Sequence, residues 1–325
     1  MIDFASAAMI RVLAQGLREL GLDAGELGRD GAEARVALQQ KQDLVRRAVA
    51  QGGLHCLPLL GRGLHRLQHE PTHQALASAR SAADLFERWR RLERYIHSRH
   101  RCEVLSCHED AAGGRAEVRH VAFGQGASVL PAPSPAEDFV VAGVLAALLE
   151  SLGLRRVQVR IDGARALPDP DGDALAAAAA RGATALWRFE WEGGVAKRLE
   201  AAQAASRPTS LEPDPAWPDE ARAAYRLLLD DLTCPPTLRE LAELLGFPVR
   251  TLQRRLGQAG LSHSRLLSEA RCRCGAWRLL HTADPIAEVG FLSGFADQAH
   301  FTRELRRRVG LPPAAYRAAF TPLRA

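Results

Sequence analysis

The 325-residue sequence predicts two domains of different class, an α+β domain over residues 1–205 and an all-α domain over 220–325, joined by a connector at 206–219. Three observations carry this. The connector holds Pro208, Pro213, Pro215 and Pro218, which forbid a continuous helix and favour an extended spacer. Charge is segregated: residues 220–325 hold 16 arginines against 10 acidic residues, for +6, while residues 1–219 carry −1 of the chain's net +5. The pattern also changes at the connector, from mixed helix and strand periods before it to two copies of one helix–glycine–helix order after it.

The first domain is read in chain order. Phe4–Leu20 has helical period, with Ala8, Val12, Leu13, Leu17 and Leu20 on one stripe and Gly21 as its stop. Asp43–Ala50 reads as a short helix. Ser81 caps a helix to about Ser98 that buries Leu85, Trp89, Leu92 and Ile96. Glu103–Cys107 and Arg115–Phe123 form a hairpin around Ala111-Ala-Gly-Gly114. Ser134-Pro135 opens a helix to Leu152. Val157, Val159 and Ile161 alternate as a strand, and Ala185–Trp191 is another, with Trp187, Phe189 and Trp191 on one face.

In the last third, Thr237 and Glu240 have capping-box spacing, Leu238, Leu241 and Leu245 mark one face, and Gly246 ends the helix at a positive φ. After Phe247-Pro248, Val249–Leu256 turns Leu252 and Leu256 inward and Arg250, Gln253 and Arg254 outward. The order then recurs. Asp284-Pro285 starts a helix with Ile286, Val289 and Leu292 on one face, and Gly294-Phe295 repeats Gly246-Phe247. Asp297 caps a second outward-facing helix, with Phe301 and Leu305 inside and Gln298, His300 and Arg303 outside. Arg306-Arg-Arg308 follows, and Gly310-Leu-Pro-Pro313 stops the helix. Between the copies, Ser264–His281 reads as a spacer helix striped with Leu267, Ala270, Cys274, Trp277 and Leu280.

These two helix-turn-helix units resemble the DNA-binding domain of the AraC/XylS family of bacterial transcription regulators. The likeness is carried by Leu241–Phe247, Arg250–Leu256, Ile286–Phe295, Phe301-Thr-Arg303 and Gly310–Arg317. Gly290 stands where that family usually has Ala, Leu305 where it usually has Phe, and His300 where small polar residues are commoner. The resemblance implies duplex DNA as partner, with one helix of each unit in successive major-groove segments. Base readers would be Arg250, Gln253 and Arg254 in the first unit and Gln298, His300 and Arg303 in the second. Arginine suits guanine and glutamine suits adenine. Arg306, Arg307 and Arg308 fall to phosphate, which sets register without reading sequence.

More weakly, Ser78–Phe86 with Arg94-Tyr95 resembles the arabinose-binding-like sensor domain of one branch of that family, whose members sense diverse molecules. This implies a small-molecule effector, a homodimer formed through the first domain, and RNA polymerase as the protein partner of an activator. The aromatic stripe Trp187, Phe189 and Trp191 is the candidate effector pocket. An alternative keeps DNA binding but senses metal, haem or thiol oxidation through His97, His100, Cys102, Cys107 and His108.

Composition excludes other classes. Hydrophobic residues make up 47% and charged residues 25%, as in ordinary globular chains. Six cysteines are too few for a disulfide framework of this length. The apolar runs Phe139–Leu149 and Ala174–Ala180 are too short to cross a bilayer. No basic stretch precedes an apolar run at the N-terminus, so a cytoplasmic protein is expected. His69-Glu-Pro-Thr-His73 matches a zinc-protease pattern, but Pro71 prevents both histidines from sharing a helical turn. There is no Walker loop, dinucleotide fingerprint or Gly-x-Ser-x-Gly elbow. Neither an enzyme nor a cofactor protein is expected.

Overall fold

The computed structural model describes residues 4–25, 35–68, 70–96, 100–122, 131–193 and 211–321. His69, His97, Ser98, Phe123 and the first five residues of the connector lie outside the described residues. The chain divides into two compact units, one over 4–68 and 76–193, the other over 70–75 and 211–321.

The first unit is α+β. Strand β1 (Phe4–Ser6) pairs antiparallel with β2 (Arg35–Ala37) and leads into helix α1 (Ala7–Glu19). The helical stripe expected from Phe4 therefore begins only at Ala7, and Leu20, 38% exposed, lies beyond its end rather than on the buried face. Helix α2 (Leu38–Gly52) is longer at both ends than the segment predicted around Asp43–Ala50. It is followed by a 3-10 helix over Leu54–Arg66, unusually long for its class, which no local pattern announced. Its glycines explain its place. A Cβ at Gly61 would sit 2.3 Å from the Gly143 carbonyl, and one at Gly143 would sit 2.0 Å from the Pro58 oxygen. Two backbones thus touch where neither carries a side chain. Helix α3 (Pro71–Ala77) lies mostly in the segment that belongs to the second unit; α4 (Ala82–Ile96) resumes the first, with Ser81 Oγ accepting the Asp84 amide at 3.0 Å.

A five-stranded antiparallel sheet runs in the order β3-β4-β7-β5-β6. Its strands are β3 (His100–Glu109), β4 (Gly113–Ala122), β5 (Arg155–Ile161), β6 (Ala164–Leu167) and β7 (Leu186–Glu192). The predicted hairpin is β3–β4, with a bulge between Val104 and Ser106. Helix α5 (Pro135–Ser151) opens with the full Ser134–Glu137 capping box and is buried all round from Asp138 to Leu149. An apolar helix of that kind belongs between layers, and α5 packs against both the 3-10 helix and the sheet. Helix α6 (Gly172–Ala180), capped by Asp171, and β6 had no counterpart in the sequence reading.

The aromatic stripe of β7 is core. Trp187 and Phe189 are fully enclosed and Trp191 is 5% exposed. Phe189 packs on Phe86 at 5.7 Å, and the Trp187 indole donates to the Thr184 carbonyl at 2.8 Å. None of the three borders the cavity between α4, β3, β4 and α5, so the aromatic pocket expected on this face is filled by its own packing.

The second unit is all-α: α7 (Asp219–Asp230), α8 (Leu238–Leu244), α9 (Val249–Gln258), α10 (His263–His281), α11 (Ile286–Leu292), α12 (Gln298–Val309) and α13 (Pro313–Phe320). The described end of the connector packs on it rather than running free. Trp217 meets Tyr225 edge-on at 5.5 Å, and Arg273 donates to the Glu212 carbonyl at 2.9 Å. No helix among the described residues is long and apolar enough to cross a membrane.

Candidate nucleic-acid interface

The interface is built by one turn used twice. In the first copy, the Leu245 amide donates to Leu241, Gly246 to Glu243 and Phe247 to Ala242. In the second, Ser293 donates to Val289, Gly294 to Phe291 and Phe295 to Gly290, each pair displaced by 48 residues. Both turns pass through a glycine in the left-handed region, φ +73° at Gly246 and +79° at Gly294. At Gly294 a side chain is also excluded by space, because a Cβ would sit 2.0 Å from the Leu232 carbonyl oxygen.

The entry helices differ in their caps. Thr237 and Glu240 form the expected reciprocal capping box on α8. For α11 the expected Asp284 cap is not formed: Pro285 occupies the cap position, and Asp284 lies 3.9 Å from Arg278 instead. Gly290 has a packing reason, since a Cβ there would come within 3.2 Å of Phe301.

The second helices carry the predicted readers. In α9, Leu252 and Leu256 are buried, and in α12 their places are taken by Phe301 and Leu305, 49 residues on. The extra residue of the second turn accommodates Asp297, whose carboxylate accepts the His300 amide at 2.6 Å. By this register Arg254 and Arg303 occupy the same position of the two units. Arg250, Gln253, Arg254, Gln298, Arg303, Arg306 and Arg307 are exposed. His300 is half-buried, its ring edge-on to Phe295 at 5.3 Å.

Most arginines of the unit are engaged with their own chain. Arg255 pairs with Glu220 and lies over the Phe247 ring at 4.7 Å. Arg273, 1% exposed, binds Glu269 at 2.7 Å between the rings of Trp217 and Tyr225. Arg317 clasps the carbonyls of Leu279 and Asp284. Arg308, grouped in sequence with the phosphate grips, is a structural tie: it pairs with Glu269 and Glu304 and donates to Ser268. Burial alone would push the Glu304 carboxyl up, but hydrogen bonds from Arg307, Arg308 and Ser268 hold it at about 2. Among the described residues, the exposed arginines of this unit that make no ion pair or hydrogen bond are Arg250, Arg254, Arg303 and Arg306. All four lie on α9 and α12.

The His/Cys cluster of the first unit does not converge. His100 and Cys102 face the core at one end of β3, whereas Cys107 is half-buried and His108 exposed at the other; His97 lies outside the described residues. No group of three metal-ligating side chains stands together among the described residues. Burial pushes the Cys107 thiol up to about 11, away from the thiolate that oxidation sensing requires. The zinc-protease pattern is likewise broken, since α3 begins at Pro71 and Tyr316 donates to the Pro71 carbonyl at 2.8 Å within the second unit.

Residues 241–319 match the family model described as a helix-turn-helix domain. The ornithine utilization regulator of Pseudomonas aeruginosa is 34% identical over 84 residues, 26% of this chain and 25% of that protein. The HTH-type transcriptional regulator RipA of Corynebacterium glutamicum is 37% identical over 100 residues, 30% of each chain. The chain thus spans about a quarter to a third of the length of these relatives. Among solved structures, the C-terminal domain of AraT, a response regulator from Geobacillus stearothermophilus, is similar over 33% of this chain and 91% of that one. Its identity is 26% and its TM-score 0.30. The transcriptional regulator CdpR from Pseudomonas aeruginosa is similar over 95% of this chain and 97% of that one, at 19% identity and a TM-score of 0.29.

Proposed function

Because the C-terminal unit is an AraC-type helix-turn-helix domain, we propose that this chain is a sequence-specific DNA-binding transcription regulator whose first unit senses a small molecule. The observation that carries the reading is the placement of the uncommitted arginines. The chain neutralises most of its basic excess internally and leaves Arg250, Arg254, Arg303 and Arg306 open on the second helix of each unit.

In this account α9 and α12 enter successive major-groove segments about one helical turn, roughly 34 Å, apart. Arg250, Gln253 and Arg254 read base edges in one segment, and Gln298, His300 and Arg303 in the other. Arg306 and Arg307 hold phosphate. Arg307 also pairs with Glu304 at 2.6 Å, so it is the weaker grip of the two. Effector binding in the first unit shifts the balance between DNA-competent and incompetent states. The reading further assigns a cytoplasmic location, a homodimer formed through the first unit, and contact with RNA polymerase at the promoter. It assigns no catalysis, and the relatives named above are regulators by their descriptions.

Binding-site selection on the full chain at fixed salt tests this. A recovered motif with two half-elements about one turn apart supports it. Weak binding of every duplex, lost between about 50 and 200 mM salt, reduces the second unit to a generic phosphate binder.

A further inference from the structure

The first unit gathers most of its buried charges at one place, Arg88 with its partner Asp84 excepted. Lys41 of α2, Glu93 of α4, His100 of β3 and His120 of β4 border a single cavity of about 20 Å³, with Trp89 and Val141 in its wall. These four residues are between 2% and 5% exposed. A second row stands behind them. Glu137 lies 3.9 Å from Lys41 and 3.8 Å from His100. Asp138 holds Nδ1 of His120 at 2.8 Å and accepts the Thr184 hydroxyl at 2.5 Å. Glu93 receives the Trp89 indole N–H and the Cys102 amide, each at 2.8 Å.

Burying so many ionisable groups is unfavourable, and apolar side chains of similar size would hold the same elements together as well. Reading DNA uses none of them. Their convergence on one cavity between the five-stranded sheet and β1, α1, α2, α4 and α5 is the arrangement of a ligand site. Charge identifies the guest. Burial drives the Lys41 ammonium below its ordinary range and the Glu93 carboxyl above its own, so each is held toward its neutral form. Lys41 already faces Glu137, and Glu93 already accepts two N–H groups, so a singly charged guest would add an enclosed charge to a set that is already partnered. A guest bearing both an ammonium and a carboxylate engages both residues and adds no net charge.

We propose that this cavity is the effector site and takes a small zwitterion, an α-amino acid or similar amine–carboxylate compound, with its carboxylate on Lys41 and its ammonium on Glu93. The proposal rests on the sensor reading above. As it stands the cavity has room for a water or two. A larger guest must therefore displace the wall that Met9 supplies, through an unbranched side chain suited to such a shift. That movement is the differential interaction an effector needs in order to shift a conformational balance.

The test is calorimetric titration of the full chain with glycine, L-alanine and L-serine, against propionate, L-alaninamide and glycerol. At least one zwitterion is expected to bind, with the other three probes at least ten-fold weaker. Lys41→Met and Glu93→Gln should each weaken the zwitterion at least ten-fold. Met9→Trp, which overfills the cavity and leaves every charge in place, should abolish binding, and the thermal unfolding of each variant beside wild type separates lost binding from lost folding. Binding of propionate, L-alaninamide or glycerol as tightly as the zwitterions overturns the ligand class. Binding that survives Met9→Trp overturns the site, and no binding by any zwitterion overturns the proposal while the sensor reading stands for other ligands. Zwitterion binding at the cavity that leaves affinity for the selected duplex unchanged keeps the site and removes the sensor reading.

Discussion

Truncating Arg254 or Arg303 separates base reading from folding, because the structure assigns these side chains nothing to do within the chain. Both are exposed and free of ion pairs and hydrogen bonds among the described residues. Arg254→Ala and Arg303→Ala should therefore leave stability within about 0.5 kcal/mol of wild type. If each holds a guanine edge, affinity for the selected duplex falls by about 1–3 kcal/mol, roughly 5- to 150-fold. The two residues occupy equivalent positions on different helices, so the double variant should lose about 2–6 kcal/mol, the sum of the single losses. Arg306→Ala is the internal control. A phosphate contact weakens binding to every sequence alike and reduces the slope of log K against log salt by about 0.9. The assay is fluorescence anisotropy with the selected duplex and with duplexes changed at one base pair. An Arg254 or Arg303 variant that loses affinity equally for all these duplexes, with a shallower salt slope, refutes the assignment to base edges.

Three further outcomes follow from the same packing. Arg308→Ala should cost about 2–3 kcal/mol in chemical denaturation, since it strips one partner from each of two half-buried carboxylates, Glu269 and Glu304, whereas Arg307→Ala costs under about 1 kcal/mol. Gly294→Ala should destabilise by about 2 kcal/mol or more against about 1 kcal/mol for Gly246→Ala, because only Gly294 faces a carbonyl oxygen where its Cβ would go; equal losses would contradict the observed contact. Glu304, held at about 2 in the folded chain against 4.5 ordinarily, contributes stability present above the unfolded value and lost as pH falls from about 5 toward 2. Screening limits this to about 1–2 kcal/mol, and acid denaturation of Glu304→Gln should lack that component.

What the sequence made legible was local. Thr237 with Glu240, Ser134 ahead of Pro135, and Asp297 each satisfy helix-end amides a few residues away, so a short window contains all the chemistry. Gly246 and Gly294 mark turns for the same reason. The spacer helix was harder. Of its predicted stripe, Ala270 is buried but Leu267, Cys274, Trp277 and Leu280 are only half-buried, while Leu266, Arg273, Ala276 and Leu279, none of them predicted, face the core. Helix α10 packs against α7, α11, α12 and α13, so no single polar face remains to set the period. Arg273 shows the limit most plainly: a guanidinium reads as surface until two aromatic rings and a carboxylate from elsewhere enclose it. Arg308 stood among phosphate grips because a run of three arginines does not reveal that Glu269 waits 39 residues upstream.

The charged cavity was invisible for a related reason. His120 and Asp138 are 18 residues apart, and Lys41 meets Glu93 only when α2, α4 and the sheet close on one another. Neither periodicity nor a spaced motif carries such a meeting. The aromatic stripe of β7, by contrast, was visible in sequence, and the fold spends it on the core.

The central claim is that α9 and α12 read two major-groove segments of one duplex. Methylation interference at guanine N7 on the selected site measures this directly, because N7 lies in the major groove. The account requires two clusters of interfering guanines about 10–10.5 base pairs apart on one face of the duplex, the first relieved in Arg254→Ala and the second in Arg303→Ala. A single cluster, or two clusters that neither substitution alters, would contradict it.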